Sequence, residues 1–324
     1  MCTAVTYQTR DFYFGRTLDH PFSYCEEVTV TPRNFPLKFR NMGILSPHYA
    51  IIGMAHVAEG YPLYYDGMNE KGLAMAGLNF SGYARYQTET PGRENIAQFE
   101  FLTWILSQCA TVDEAVERMG KMNLTGTPFS EELPTAQLHW LLADRNQTVT
   151  LEPAEEGIRV YTNPVGVLTN NPAFPEQLFR LNDFMGLSPE PPQNRFSRQL
   201  ELQRYSLGMG AMGLPGDLSS QSRFVRAAFV KLNSRCGMSE TESVSQIFHI
   251  LGSVEQQRGC CRTEDGGYET TIYTSCCNTD RGIYYYNTYG NHQITAVHLY
   301  RENLDGCALV RYPTVQGERM YLQN

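Results

Sequence analysis

The stretch Met1-Cys2-Thr3-Ala4-Val5-Thr6-Tyr7, followed by Phe12-Tyr13-Phe14-Gly15-Arg16-Thr17-Leu18-Asp19, carries the reading of the fold. Cys2 to Tyr7 and Phe12 to Gly15 are short runs rich in β-branched and aromatic residues, with a polar turn between them, and read as two strands of a hairpin. The N-terminus therefore starts inside a sheet. Removal of Met1 would put a thiol and a free α-amine on one residue, Cys2. An α-amine titrating near ~7.7 to 8 is a competent base for its own thiol at neutral pH. Along an alternating strand Arg16 and Leu18 share a face, so Arg16 can aim its guanidinium at a thiol on the neighbouring strand, where a cation favours the thiolate. Asp19, at the strand end, is placed to hold the α-amine by a charge-assisted hydrogen bond.

Working outward, further strands are expected at Val28 to Thr31, Ala50 to Met54, Leu73 to Leu78, Gln137 to Ala143, Thr148 to Glu152, Glu269 to Ser275, Gly282 to Asn287, Gln293 to Tyr300 and Leu309 to Tyr312. Helices are expected at Asn95 to Cys109, Val112 to Met122, Pro175 to Met185, Arg223 to Ser234 and Glu240 to Leu251, with capping-box patterns at Thr111/Glu114 and Ser239/Glu242. Strands, helices, strands, helices and strands alternate in blocks, and short turns join neighbouring strands, which favours antiparallel pairing and an α+β class. No repeat or low-complexity linker divides the chain, and Ser188 to Gln193 is a Pro-rich loop inside one architecture. A single domain over 1–324 is expected.

Composition narrows the function. The 324 residues are 42% apolar, with a net charge of -8 and no clustered Lys and Arg, which argues against a nucleic-acid or acidic-membrane partner. No apolar run approaches the ~18 residues of a membrane span, and no charged leader precedes an apolar stretch, so a cytoplasmic protein without membrane insertion is expected. Nine cysteines, an odd number in a long chain, read as reduced thiols rather than a disulfide framework. Gly208, Gly210 and Gly213 spell G-x-G-x-x-G, but Leu214-Pro215-Gly216-Asp217 follows in place of a helix, which rejects dinucleotide binding. Cys260-Cys261 and Cys276-Cys277 are adjacent pairs, unlike the spacing of zinc ligands, and the seven histidines show no metal-binding pattern. No metal and no cofactor are expected.

Asn79 and Asn170 each end an apolar run, where an amide side chain can donate to a developing oxyanion, a donor whose loss costs ~2.7 to 4 kcal/mol. Arg223 opens a predicted helix, an unfavourable place for a cation unless it has a specific partner.

Taken in order, Met1-Cys2-Thr3, Gly15-Arg16-Thr17-Leu18-Asp19, Asn69-Glu70-Lys71-Gly72-Leu73, Ala76-Gly77-Leu78-Asn79-Phe80, Leu168-Thr169-Asn170, Leu214-Pro215-Gly216-Asp217 and Ser222-Arg223-Phe224 resemble the choloylglycine hydrolase family, bile salt hydrolases above all. The resemblance continues to Tyr284-Tyr285-Tyr286-Asn287-Thr288-Tyr289 and so spans nearly the whole chain. It implies a four-layer αββα N-terminal nucleophile hydrolase sandwich with two stacked antiparallel sheets. It implies Cys2 as nucleophile and, through its amine, base; Arg16 and Asp19 as tuning and orienting groups; Asn170 and Asn79 as oxyanion donors; and Arg223 as support. Asn79 stands where penicillin V acylases carry tyrosine, which favours glycine- or taurine-conjugated bile salts over penicillin V or another N-acyl amide. Loops bearing Leu18, Tyr65, Phe129 and Leu133, with Asn79, would line the steroid groove, and a bacterial homotetramer is implied. A non-catalytic protein holding an amphipathic ligand is the remaining alternative and requires a blocked N-terminus. Thr17 stands where many relatives have asparagine and, lying off the Arg16 face, is expected to leave the site untouched.

Overall fold

The computed structural model describes residues 1–324. In chain order its strands are β1 Cys2–Gln8, β2 Phe12–His20, β3 Glu27–Thr31, β4 Leu37–Phe39, β5 Gly43–Leu45, β6 Ile51–Ala58, β7 Tyr61–Asn69, β8 Ala74–Asn79, β9 Glu94–Ala97, β10 Met122–Thr125, β11 Leu138–Ala143, β12 Thr148–Ala154, β13 Gly157–Thr162, β14 Val167–Leu168, β15 Thr270–Asn278, β16 Ile283–Thr288, β17 Asn291–His298 and β18 Val310–Pro313. The α-helices are α1 Phe101–Gln108, α2 Val112–Met119, α3 Phe174–Arg180, α4 Ser220–Asn233 and α5 Glu240–Gly252.

Two antiparallel sheets stack. One runs β14-β1-β2-β15-β16-β17 and the other β13-β12-β11-β8-β7-β6-β3-β18. Helices α4 and α5 pack on the first sheet against β1, β2 and β15, and α1 packs on the second against β7 and β8. The result is the expected four-layer α+β sandwich. Its apolar interior divides in two: one cluster fills the space between the sheets and under α4 and α5, and the other lies between the eight-stranded sheet and α1 and α2. Strand alternation assigns the residues: Trp140 and Leu142 face the helices, whereas Leu141 and Ala143 face the other sheet. At the cross-strand pair Gly53 and Gly67 the backbones of β6 and β7 lie so close that a Cβ on Gly53 would sit 2.1 Å from the Asp66 carbonyl oxygen. No helix is long and apolar enough to cross a membrane.

Several elements differ from expectation. The segment expected as one helix from Asn95 is a strand through Ala97, a 3₁₀ turn at Gln98–Glu100 and then α1, because residues 94–97 pair in parallel with β10. Helix α2 stops at Met119, before Gly120, and Met122 starts β10 instead of closing the helix. The α3 segment becomes 3₁₀ from Leu181. Strand β7 was not expected at all; Pro62, Asp66 and Gly67 break its apolar run, and its pairing with β6 and β8 forms it regardless. The Ser239/Glu242 capping box forms in full, whereas at Thr111 only half does: Thr111 accepts from the Glu114 N–H, and the Glu114 carboxylate turns to the Ala110 N–H. All nine cysteines are free.

Candidate active site

The site grows from the β1–β2 register. Cys2 lies opposite Leu18, and Ala4 lies opposite Arg16, so Cys2 and Arg16 are diagonal neighbours on one face. The small Ala4 leaves the guanidinium room to fold back, and Arg16 Nη2 sits 2.7 Å from Cys2 Sγ. The rest of the guanidinium crosses to the other sheet. Its Nη1 donates to the carbonyls of Tyr65 at 3.1 Å and Gly77 at 2.8 Å, and its Nε donates to the Thr17 carbonyl at 3.1 Å. Arg16 is fully buried. Burial works against its charge, but Cys2, Tyr273, Asp66 and Asp19 together outweigh it and hold Arg16 above the ordinary arginine range.

The opposite face of the hairpin looks at α4. There Arg223, also fully buried, donates through Nη1 to the Cys2 carbonyl and Thr3 Oγ1 and through Nη2 to Asn170 Oδ1, each at 2.6 Å. This is the specific partner set that explains a cation in the first turn of a helix. Burial pushes Arg223 below its usual range, partly offset by Asp19, Cys2 and Glu269. Asn170 Oδ1 also accepts from the Cys2 N–H at 3.0 Å, and its Nδ2 donates to the Asn79 carbonyl at 2.8 Å. In this chain, then, the Asn170 amide is already engaged. Asn79 is exposed on the wall of the cavity before Cys2, with its Oδ1 accepting from Ser81 at 2.9 Å.

With Met1 in place the Cys2 nitrogen is a peptide N–H, and Asp19 does not reach it through its carboxylate. That carboxylate accepts from Thr271 Oγ1 at 2.7 Å and Thr17 Oγ1 at 3.3 Å, while the Asp19 carbonyl and the Glu269 carboxylate take the Met1 ammonium at 2.8 and 2.9 Å. Thr17 therefore belongs to the site: it shares the Asp19 face and also accepts from the Thr3 N–H at 3.2 Å. The expectation that it stands apart is corrected, because lying off the Arg16 face places it on the Asp19 face.

Cys2 opens onto a cavity of about 580 Å³. Leu18, Tyr65, Phe129 and Leu133 all lie on its wall, Leu18 and Tyr65 from strands β2 and β7 rather than from loops, joined by Phe99 from the 3₁₀ turn before α1 and Leu138 from the start of β11. Polar groups also line it, Asp19 and Glu269 beside Met1 together with His20 and Asp265. Sequence reasoning also missed Asp66, which is 1% exposed on β7 and accepts hydrogen bonds from the hydroxyls of Tyr273 at 2.6 Å, Tyr284 at 2.7 Å and Ser275 at 3.1 Å. Burial raises the Asp66 carboxyl, opposed by Arg16 and these donors. No group of three or more His, Cys, Asp or Glu side chains is arranged to hold a metal ion.

The model of the linear amide C–N hydrolases, choloylglycine hydrolase family, matches residues 2–312. The chain belongs to the choloylglycine hydrolase family. Within that family it is 54% identical over 324 residues to a bile salt hydrolase/transferase of Lactiplantibacillus plantarum, covering 100% of both chains. It is 38% identical over 318 residues to a bile salt hydrolase/transferase of Clostridium perfringens, covering 96% of each. Its structure superposes on a mutant conjugated bile acid hydrolase from Clostridium perfringens with a TM-score of 0.92 at 36% identity, covering 100% of both chains. A penicillin V acylase from Agrobacterium tumefaciens shares the fold, with a TM-score of 0.74 at 21% identity over 96% of this chain and 90% of that one.

Proposed function

We propose that this choloylglycine hydrolase family member hydrolyses the amide bond of glycine- or taurine-conjugated bile salts, with Cys2 as nucleophile after Met1 is removed. The carrying observation is the Cys2 sulfur, 2.7 Å from a buried guanidinium, at the edge of a cavity with an apolar wall. Its thiolate attacks the amide carbonyl. The oxyanion is met by the Asn79 amide on the cavity wall, with Asn170 and Arg223 holding the Cys2 backbone in register. The freed Cys2 α-amine, with Asp19 and Thr17 beside it, passes a proton to the departing glycine or taurine nitrogen, leaving a thioester. Water, deprotonated by the same amine, then splits the thioester and releases the bile acid and the free thiol. The steroid lies along Leu18, Tyr65, Phe129 and Leu133. The apolar wall and the relatives named for bile salts support this reading over a penicillin V acylase; the penicillin acylase likeness is one of fold.

The deciding measurement is release of glycine or taurine from glycocholate and taurocholate by the native protein and by Cys2→Ala, with penicillin V as competitor substrate. Deconjugation that survives Cys2→Ala overturns the nucleophile, and a strong preference for penicillin V overturns the substrate. A one-domain chain assembled as a cytoplasmic homotetramer is proposed on the family resemblance alone, and sedimentation equilibrium tests the assembly.

A further inference from the structure

The layer between the sheets holds a buried charge that the reaction above does not use. Asp66 comes from β7 and is gripped by three hydroxyls of β15 and β16. Its Oδ2 lies 4.0 Å from Arg16 Nε, too far for a hydrogen bond but close for two buried charges. Arg16 itself is oriented by three carbonyl oxygens, those of Tyr65, Gly77 and Thr17. Each side chain thus keeps its pose without the other, and what passes between them is charge. One fixed cation faces two acceptors of negative charge, the Cys2 sulfur on one side and the Asp66 carboxylate on the other.

We propose that Asp66 is a positioning residue acting through Arg16: its carboxylate takes up part of the guanidinium's field and keeps the Cys2 thiolate basic enough to attack an amide. The chemistry requires such a limit. A thiolate's intrinsic nucleophilicity falls with its basicity, with a Brønsted slope of ~0.4 to 0.5, so lowering a thiol pKa far beneath the working pH weakens attack without enriching the thiolate further. Arg16 and Arg223 both bear on Cys2; Asp19 opposes both guanidiniums, and Asp66 is the second buried carboxylate that opposes Arg16. The other ionisable groups facing Arg16 are Asp19 on its own strand, Tyr273 on β15 and Tyr65 on β7; those facing Asp66 are Tyr273, Tyr284 and, farther off, Cys277. Asp66 is the one carboxylate in direct hydrogen-bond contact with those tyrosines, and its three donors favour the charged form.

The inference rests on Cys2 being the nucleophile, and its test separates the two ideas. In the full-length processed protein, the rate of Cys2 alkylation by iodoacetamide is followed against pH, read on the N-terminal peptide by mass because eight other cysteines are free. Asp66→Asn keeps the size of the side chain and removes the charge. Its alkylation midpoint is expected to fall by about one pH unit, the low end of what a directly neighbouring charge exerts, because Asp66 reaches the sulfur through Arg16, and its plateau rate by roughly threefold on the Brønsted slope. The acid limb of kcat/KM for glycocholate moves with the midpoint, while KM changes little. A folded Asp66→Asn protein with an unmoved or raised midpoint overturns the proposal. If that variant does not fold, Tyr284→Phe, which strips one donor from the carboxylate, is expected to move the midpoint the same way by less, and no movement again refutes it. Full activity in Cys2→Ala would instead defeat the nucleophile reading itself.

Discussion

The two faces of the eight-stranded sheet are built from the same strands and differ in almost everything else. Toward α1 the sheet presents Tyr64, Met75, Trp140, Leu142 and Leu151, and Phe101, Leu102 and Ile105 fill against them. Toward the second sheet it presents aliphatic residues such as Ile52, Leu78 and Leu141, but around Asp66 on β7 the neighbouring strand β8 offers only the small Ala74 and Ala76. The first face is close-packed apolar bulk, with Phe101 edge-on to Trp140 at 4.7 Å between centroids. The second leaves room for Arg16 to reach across from the other sheet. The outer face is apolar throughout, whereas the inner face admits buried charge where alanines leave space for it.

Substitutions can break that contrast or sharpen it. The largest expected effect is Cys2→Ala, which should lower kcat for conjugated bile salts by more than about a thousandfold while the melting temperature stays near that of the native protein. Next, Arg16→Leu removes the cation and leaves Asp66 buried and unpaired, for which urea unfolding should show a loss of about 3 to 5 kcal/mol together with lost turnover. Adding Asp66→Asn should recover most of that stability and none of the turnover; if stability does not return, the two charges are not the coupled pair described here. On the other face, Phe101→Ala should cost about 3 to 5 kcal/mol through the cavity it leaves, yet kcat of the folded protein should stay within about twofold. A large fall in kcat would show that the outer core shapes the site after all.

A smaller effect is expected at Lys231. Its ammonium is buried against Thr6 Oγ1 and the carbonyls of Val165 and Gly166, and burial pushes it down to about 8. Because the folded pKa is depressed, the unfolded chain holds the extra proton between pH 8 and the ordinary lysine value near ~10.4. The burial penalty is therefore present below pH 8 and is relieved as pH rises through that window. Unfolding free energies of the native protein relative to Lys231→Met should climb from pH 7 to pH 10, and parallel curves would contradict the burial account. The smallest expected effect is Ser239→Ala, about 1 kcal/mol from loss of the α5 cap, with no change in activity.

Much of the fold was legible where local chemistry is strong. The β1–β2 hairpin, the turn between β11 and β12 and the cap of α5 each declare themselves within about ten residues. Strand β7 does not: its Pro62, Asp66 and Gly67 make a poor strand in isolation, and hydrogen bonding to β6 and β8 on either side overrides propensity. The Asn95 segment failed for a related reason, since its strand exists through a partner some 28 residues later. At the site, Cys2, Arg16, Asp19, Asn79, Asn170 and Arg223 were named from motifs, and the structure brings all six around one cavity or directly behind it. Asp66 escaped because its hydroxyl partners lie more than 200 residues away.

By itself, the sequence determined the class of layers, the hairpin that presents a cysteine behind Met1 and the residue types from which an amide hydrolase can be made, because hydrophobic period, turn chemistry and motif are properties of neighbouring residues. Tertiary structure alone decided that Arg16 folds past Ala4 to the sulfur, that Thr17 sides with Asp19, that the Asn170 amide is already occupied, and that Asp66 stands behind the guanidinium. These depend on distances between strands far apart in the chain, and burial gives charges at such distances an influence that no local pattern records.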